Sequence, residues 1–145
     1  MSSVLGYPQT ERLPETIPSA DESVRRQVWG VLSGLYPRGR TPERRAVQRF
    51  PYPQLLYLTP VGENVLPAGD PVSVIGKHLS ERGLGFYHVQ PLPYRRMIAS
   101  LELPQGHWAG FLIDIKWCRF TQFGWYDSGG RFLQTVPSPI TGRVA

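Results

Sequence analysis

The sequence has few of the residues that cross-link small proteins or bind metals. Cys118 is the only cysteine among the 145 residues, so an internal disulfide is excluded and the thiol fits a reducing compartment. The three histidines, His78, His88 and His107, have no cysteine or carboxylate beside them at metal-site spacing. We therefore expect no metal site.

Long apolar runs are also missing. No segment approaches the roughly 18 apolar residues that a membrane-spanning helix needs. The N-terminal segment has no apolar stretch of signal-peptide length. Both absences predict a cytoplasmic protein without a membrane partner.

Lysine is rare as well. Lys77 and Lys116 are the only lysines among 16 basic residues, and the formal net charge is +5. A basic balance favours an anionic partner, and an arginine guanidinium is planar, stays charged and donates two parallel hydrogen bonds. This chemistry suits phosphates and purine bases. A general compositional preference for arginine would explain the total equally well, so the positions of the arginines matter more than their number.

Glycine and proline are abundant, with 15 of each, which favours short elements joined by turns. One segment nevertheless has a helical pattern, because Ser19 and Glu22 have capping-box spacing. Apolar residues then recur at helical spacing: Val24, Val28, Val31, Leu32 and Leu35. We predict a flexible tail over 1–18 and an amphipathic helix over 19–36. We favour a helix that covers one end of a β-domain over a docking helix.

Period-two alternation dominates residues 51–136. In its clearest stretch, four residues share one face: Phe111, Ile113, Ile115 and Trp117. The segment 127–130, Asp-Ser-Gly-Gly, suggests a hairpin turn. Six or seven short strands predict a mainly β fold, an antiparallel barrel with most of its aromatic side chains in the core. Residues 137–145 form a predicted C-terminal tail.

A basic linker over residues 37–50 joins the helix to the first strand. Its five arginines are Arg38, Arg40, Arg44, Arg45 and Arg49. Prolines and a glycine disfavour a long helix there. Arg45 and Arg49 form an R-x-x-x-R pair just before the first strand. Taken alone, such a linker is more often a solvated basic segment.

A second motif, His-Leu-Ser-Glu-Arg-Gly at residues 78–83, leads into a predicted strand. An arginine pair, a strand hairpin and then a D/N-x-S-x-x-G turn is the order found in the PilZ family. The chain resembles that family over roughly residues 40–136, with Ser80 and Gly83 in place. Residues 129–132, Gly-Gly-Arg-Phe, resemble the last barrel strand of the family.

The resemblance implies a six- to seven-stranded antiparallel PilZ-like β-barrel that binds cyclic di-GMP, a bacterial second messenger. It implies a ligand site made of six residues: Arg44, Arg45, Arg49, His78, Ser80 and Gly83. In the family, an arginine in the position of Arg44 is associated with binding two ligand molecules. We expect no other cofactor, an effector protein as a further partner, and no nucleic-acid partner.

The chemistry of these residue types fits that ligand. A guanine presents O6 and N7 to an arginine fork, and guanidinium also stacks on flat bases. A basic arm is mobile when empty and ordered when filled. Ser80 would offer a hydroxyl to a base or phosphate, and Gly83 would let the backbone turn tightly and approach the ligand. No general base or nucleophile-elbow motif accompanies Ser80, so we do not expect an enzyme.

His78 departs from the family pattern, which has Asp or Asn at this position. Neutral histidine offers one acceptor and charged histidine offers none. Two alternatives therefore stay open. One is a PilZ-like adaptor that binds protein and no nucleotide, and the other is a basic β-barrel that binds single-stranded nucleic acid.

Overall fold

The computed structural model describes residues 19–36 and 48–141. Within these ranges the chain forms one α-helix and seven β-strands. The fold is mainly β, and its strands form a closed six-stranded antiparallel barrel with one short additional strand. The predicted fold class is confirmed. Arg44 and Arg45 lie outside the described residues.

The elements follow one another in a simple order. Helix α1 spans Ala20–Leu32, and the strands are β1 (Phe50–Pro51), β2 (Leu55–Pro60), β3 (Val72–Leu79), β4 (Gly83–His88), β5 (Arg96–Glu102), β6 (Trp108–Phe120) and β7 (Tyr126–Val136). A short 3₁₀ turn, Glu63–Val65, lies between β2 and β3.

The barrel closes through pairing between strands that are distant in sequence. Its strands are hydrogen-bonded in the order β3, β2, β5, β6, β7 and β4, and β4 pairs back with β3. Closure removes the unpaired edges that an open sheet would expose. Strand β1 pairs with the last two residues of β3, with Phe50 opposite Leu79 and Pro51 opposite His78. This short pairing places Arg49 close to the β3–β4 turn.

The core fills the barrel with apolar side chains from all six strands. Among the fully buried residues are Leu56, Leu58, Leu79, Phe86, Met97, Leu101, Phe111 and Ile113. The rings of Phe111 and Phe132 stack with their centroids 4.4 Å apart. Each fully buried side chain of this size stabilises the fold by about 1.5–3 kcal/mol. The barrel interior is therefore a packed core.

Helix α1 begins where the capping pattern predicts. The Ser19 hydroxyl accepts a hydrogen bond from the Glu22 N–H at 3.1 Å, and the apolar face of the helix joins the barrel core through Val24, Val28, Val31 and Leu32. The helix packs mainly against β7. It ends before Gly34, so Leu35 is 40% exposed and lies outside the buried face. No helix in the described ranges is long and apolar enough to span a membrane.

The turn between β6 and β7 lies earlier than predicted. Residues 127–130 belong to β7, and the chain reverses at residues 121–125, where Gly124 has a φ of +96°. The prediction of a turn at Asp-Ser-Gly-Gly is wrong because these glycines serve close packing between strands. A Cβ atom on Gly130, for example, would lie 2.6 Å from the Asp114 carbonyl oxygen on β6.

A β-bulge changes which side of β6 faces the core. The register of the β6–β7 pair shifts between Ile115 and Trp117, and such a bulge reverses the alternation of side chains. Phe111 and Ile113 are buried, whereas Trp117 is 39% exposed. The prediction that Trp117 shares their face is therefore wrong. Phe123 and Trp125 are also exposed, so fewer aromatic residues lie in the core than expected.

Candidate functional site

A groove of about 240 Å³ lies on the outer surface of the barrel, between the β3–β4 turn and strands β6 and β7. Four of the six predicted site residues line it: Arg49, His78, Ser80 and Gly83. The remaining two, Arg44 and Arg45, lie outside the described residues. Two other surface cavities, of about 270 and 320 Å³, contain none of these four residues.

The short strand β1 brings the two motifs together. Arg49 immediately precedes β1, and Pro51 of β1 pairs with His78 at the end of β3. The next residues of the chain after β3 form the turn that contains Ser80 and Gly83. Arg49, the described member of the arginine pair, and the serine–glycine motif are therefore neighbours because one backbone pairing joins the segments that carry them.

The hydroxyl of Ser80 holds the β3–β4 turn. Ser80 Oγ accepts hydrogen bonds from the backbone N–H groups of Arg82 and Gly83, both at 3.1 Å. The Ser80 N–H donates to the Gly83 carbonyl at 2.9 Å. Ser80 Oγ also donates a longer hydrogen bond to that same carbonyl, with an Oγ···O distance of 3.4 Å. The hydroxyl thus acts in the turn mainly as the acceptor for two backbone N–H groups.

Gly83 is required for a reason that sequence reasoning did not identify. The reason is not a left-handed backbone conformation, which among the described glycines only Gly106 and Gly124 adopt. A Cβ atom at Gly83 would instead overlap the Gly130 carbonyl oxygen on β7. The glycine therefore allows β4 and β7 to approach each other beneath the groove.

Two rings flank a pair of glycines across the groove surface. His78 is opposite Gly85, Gly85 is opposite Gly129, and Gly129 is opposite Trp117. A Cβ atom on Gly85 would lie 2.7 Å from His78 Cε1, and one on Gly129 would lie 2.5 Å from Trp117 Cζ2. The imidazole and the indole thus lie against bare backbone. An exposed indole at such a place is a surface on which a planar base stacks.

The groove is rich in positive charge. Arg49, Arg82 and Arg131 line it and are exposed, and none of them forms an ion pair within residues 19–36 and 48–141. Lys116, also in the lining, lies 3.0 Å from the Asp114 carboxylate. Unpaired guanidinium groups around one groove suit a phosphate-bearing ligand.

A charged network continues beside Trp117. Lys77 and Arg119 lie within 5.8 and 5.5 Å of the Trp117 ring. Both also contact the buried Asp127 carboxylate, at 3.1 and 3.2 Å. These cation–π contacts and ion pairs restrain the indole. Trp117 is therefore held in place before any ligand binds.

The surroundings of His78 disfavour the charged form of its imidazole. Burial lowers the pKa of its imidazole, and the positive charges of Arg49 and Lys77 lower it further. Its Nδ1 atom is buried and has no hydrogen-bond partner among the described residues. A protonated ring would carry an N–H donor on that buried nitrogen with no acceptor to receive it. The groove therefore favours the uncharged ring.

Sequence reasoning missed Arg82, Lys116, Trp117 and Arg131 as residues of the groove. Arg82 stands inside the motif, so its position was a usable signal. Trp117 and Arg131 are brought to the groove by the bulge in β6 and by the register of β7. The two adjacent glycines of β7 were the available sign that a bulky ring from β6 lies over that strand.

Among the described residues, no three His, Cys, Asp or Glu side chains are grouped so as to hold a metal ion. Comparisons of the chain with protein-family models, with curated proteins and with solved structures give no match. The functional hypothesis therefore depends on the two motifs and on the chemistry of the groove.

Proposed function

We propose that the chain is a cyclic di-GMP receptor or adaptor of the type that its resemblance to the PilZ family implies, and that it is not an enzyme. The observation that carries this proposal is the meeting of its two motifs. Arg49 and the segment 78–83 are distant in sequence and line one cationic groove. A chance arginine in a solvated linker would have no reason to lie beside the serine–glycine turn, as Arg49 does.

The groove offers a partner for each chemical part of cyclic di-GMP. The ligand has two phosphates, which suit the exposed guanidinium groups of Arg49, Arg82 and Arg131. It has two guanines, whose Hoogsteen edges match an arginine fork and whose faces suit the exposed indole of Trp117. A carboxylate-bearing or apolar ligand would use fewer of these groups.

Binding would also act on the basic arm. Arg45, the first arginine of the motif, and Arg44 just before it precede Arg49 in the chain, and in this proposal the arm clamps the nucleotide against the barrel. The arm would then present a new surface to an effector protein in the cytoplasm. We propose that ordering of the basic arm on ligand binding is the signal, since the packed barrel core has little freedom to rearrange.

Two other functions have an observation in their favour. His78, where the family has Asp or Asn, favours an adaptor that binds protein and no nucleotide. The exposed Trp117 between cationic side chains favours single-stranded nucleic acid. Cyclic di-GMP accounts for more of the site, because it explains the arginine pair and the serine–glycine turn together.

A competition assay separates the three hypotheses. Fluorescently labelled cyclic di-GMP is bound to the full chain and displaced with unlabelled cyclic di-GMP, GTP or a single-stranded RNA oligonucleotide. The proposal predicts displacement by cyclic di-GMP at micromolar or lower concentration and little displacement by the other two. Tighter binding of the RNA would favour the nucleic-acid hypothesis, and no binding of either would favour the protein adaptor.

A further inference from the structure

Glu81 differs from the other residues of the β3–β4 turn. Ser80, Arg82 and Gly83 all line the groove, and Glu81 does not. Its carboxylate oxygen Oε2 accepts a hydrogen bond from Trp29 Nε1 of helix α1 at 2.6 Å. The one anionic side chain of the turn is thus held on the helix side, away from the cationic groove.

The sign of this charge matters for a ligand that carries phosphates. A carboxylate that turned into the groove would repel the ligand and would compete for the guanidinium groups of Arg82 and Arg49. The short hydrogen bond to the indole N–H satisfies the carboxylate elsewhere. The contact thus keeps the Glu81 carboxylate away from the phosphates of the ligand, although the acidic residue remains in the turn.

The same indole also contacts strand β1, next to Arg49. The rings of Trp29 and Phe50 meet edge to face, with centroids 5.4 Å apart, and Phe50 directly follows Arg49. Tyr36, just beyond the helix, packs on Phe50 at 5.5 Å and donates its hydroxyl to the Pro51 carbonyl at 2.6 Å. Trp29 therefore touches the neighbours of both motifs, Phe50 next to Arg49 and Glu81 next to Ser80.

We propose that Trp29 is a positioning residue for the groove, which keeps the Glu81 carboxylate bound to helix α1 and away from the phosphates of the ligand. This inference rests on the proposed function, since it requires an anionic ligand. It gives helix α1 a part in ligand binding beyond covering the core. It also makes the helix sensitive to any change in the turn that binds the ligand.

Affinity measurements on four proteins test the inference: wild type, Trp29→Phe, Glu81→Gln and the double variant. Trp29→Phe keeps a ring against Phe50 and loses the N–H donor, so the free carboxylate should weaken cyclic di-GMP binding about three- to tenfold at low salt. Glu81→Gln should bind at least as tightly as wild type. In the Glu81→Gln background, the Trp29→Phe substitution should cost nothing further.

This rescue distinguishes electrostatic positioning from a merely structural role, because a damaged helix would not be repaired by Glu81→Gln. The loss in Trp29→Phe should also shrink in about 1 M salt, where the screening length is about 3 Å. Trp125→Phe, the same substitution at an exposed tryptophan outside the groove, should leave affinity unchanged.

Three results would overturn the inference. One is wild-type affinity in Trp29→Phe, another is a loss that persists in the double variant, and the third is weaker binding by Glu81→Gln alone. The measurement on Glu81→Gln alone does not alter Trp29, so it applies even if Trp29→Phe folds poorly. A wild-type chain that binds no cyclic di-GMP would instead refute the proposed function itself, and the inference with it.

Discussion

The indole of Trp117 lies over the backbone of Gly129, its partner on the neighbouring strand, so closely that a Cβ atom there would be 2.5 Å from the ring. This contact fixes one wall of the groove. It depends on a bulge in β6 that turns Trp117 outward and on a residue in β7 that has no side chain. Neither feature is useful to the barrel core.

Gly129→Ala should therefore weaken ligand binding by displacing the indole. Loss of one base-stacking contact costs about 1–3 kcal/mol, which corresponds to an affinity loss of roughly five- to 150-fold. The barrel should also lose about 1–3 kcal/mol of unfolding free energy from overpacking. Titration with cyclic di-GMP and urea denaturation measure the two effects.

A second glycine provides the control for this substitution. A Cβ atom on Gly30 in helix α1 would lie 3.6 Å from Leu103 Cδ2, an ordinary contact. Gly30→Ala should leave affinity unchanged and raise the unfolding free energy by up to about 1 kcal/mol through helix propensity. Equal affinity in Gly129→Ala and wild type would mean that Trp117 does not contact the ligand.

Ser80→Ala tests the hydroxyl that holds the β3–β4 turn. The substitution leaves the N–H groups of Arg82 and Gly83 without their acceptor, so we expect a loss of about 1–3 kcal/mol in unfolding free energy. Ser33→Ala is the matched control, because its hydroxyl only donates to the Gly30 carbonyl on an exposed surface. A Ser80→Ala variant as stable as Ser33→Ala would show that the turn does not need the hydroxyl.

His78→Asn should tighten binding of cyclic di-GMP. The PilZ resemblance implies that this position accepts hydrogen bonds from a guanine, and an amide oxygen accepts with two lone pairs where neutral imidazole offers one. A guanine donor left unpaired costs about 1–3 kcal/mol, so the gain would reach about a hundredfold at most. Calorimetry on both proteins at pH 7.5 gives the comparison.

The pH dependence of wild-type binding tests the same residue. Because burial and nearby cations lower the pKa of His78 below 6.5, affinity should be constant from pH 7.5 to 6.5 and should weaken below that range as the acceptor is lost. The Asn variant should show a smaller decrease. Stronger wild-type binding in acid would identify charged His78 as a phosphate ligand and contradict its role as an acceptor.

Acid should destabilise the barrel through His88. This buried ring bonds the Gln90 carbonyl at 2.7 Å and Ser128 Oγ at 2.8 Å, and burial lowers its pKa below 6.5. The unfolded chain therefore binds protons first as pH falls, so the contribution of neutral His88 to stability is present well above pH 6.5 and is lost as the pH falls through that value and below it. Urea denaturation at pH 7.5 and 5.5 should show the decline in wild type, and a smaller one in His88→Gln.

Much of the fold could be predicted from the alternation of apolar residues. The capping box at Ser19, the buried face of α1 and the antiparallel barrel all follow from local patterns that tertiary packing did not override. The bulge before Trp117 could not be predicted, since strand periodicity assumes an uninterrupted register. The glycines of β7 were interpreted as a turn for the same reason: their purpose is contact with β6, which is distant in sequence.

The candidate site was predictable only in part. The motif residues Arg49, His78, Ser80 and Gly83 were chosen by their order in the sequence, and all four line one groove. The roles of Trp117 and Trp29 depend on pairing and packing between segments far apart in the chain. A one-dimensional pattern carries no information about such contacts.

Calorimetric titration of the full chain with cyclic di-GMP tests the central claim most directly, with Arg49→Ala and Arg26→Ala measured in parallel. Arg26 is exposed on α1 and pairs with Glu22 at 3.5 Å. The Arg26→Ala substitution therefore removes the same charge as Arg49→Ala, but at a position outside the groove. We predict micromolar or tighter binding by wild type and Arg26→Ala, and a roughly tenfold or greater loss in Arg49→Ala from one charge-assisted contact. Absence of binding by the folded wild type, or equal affinity in all three proteins, would contradict the account.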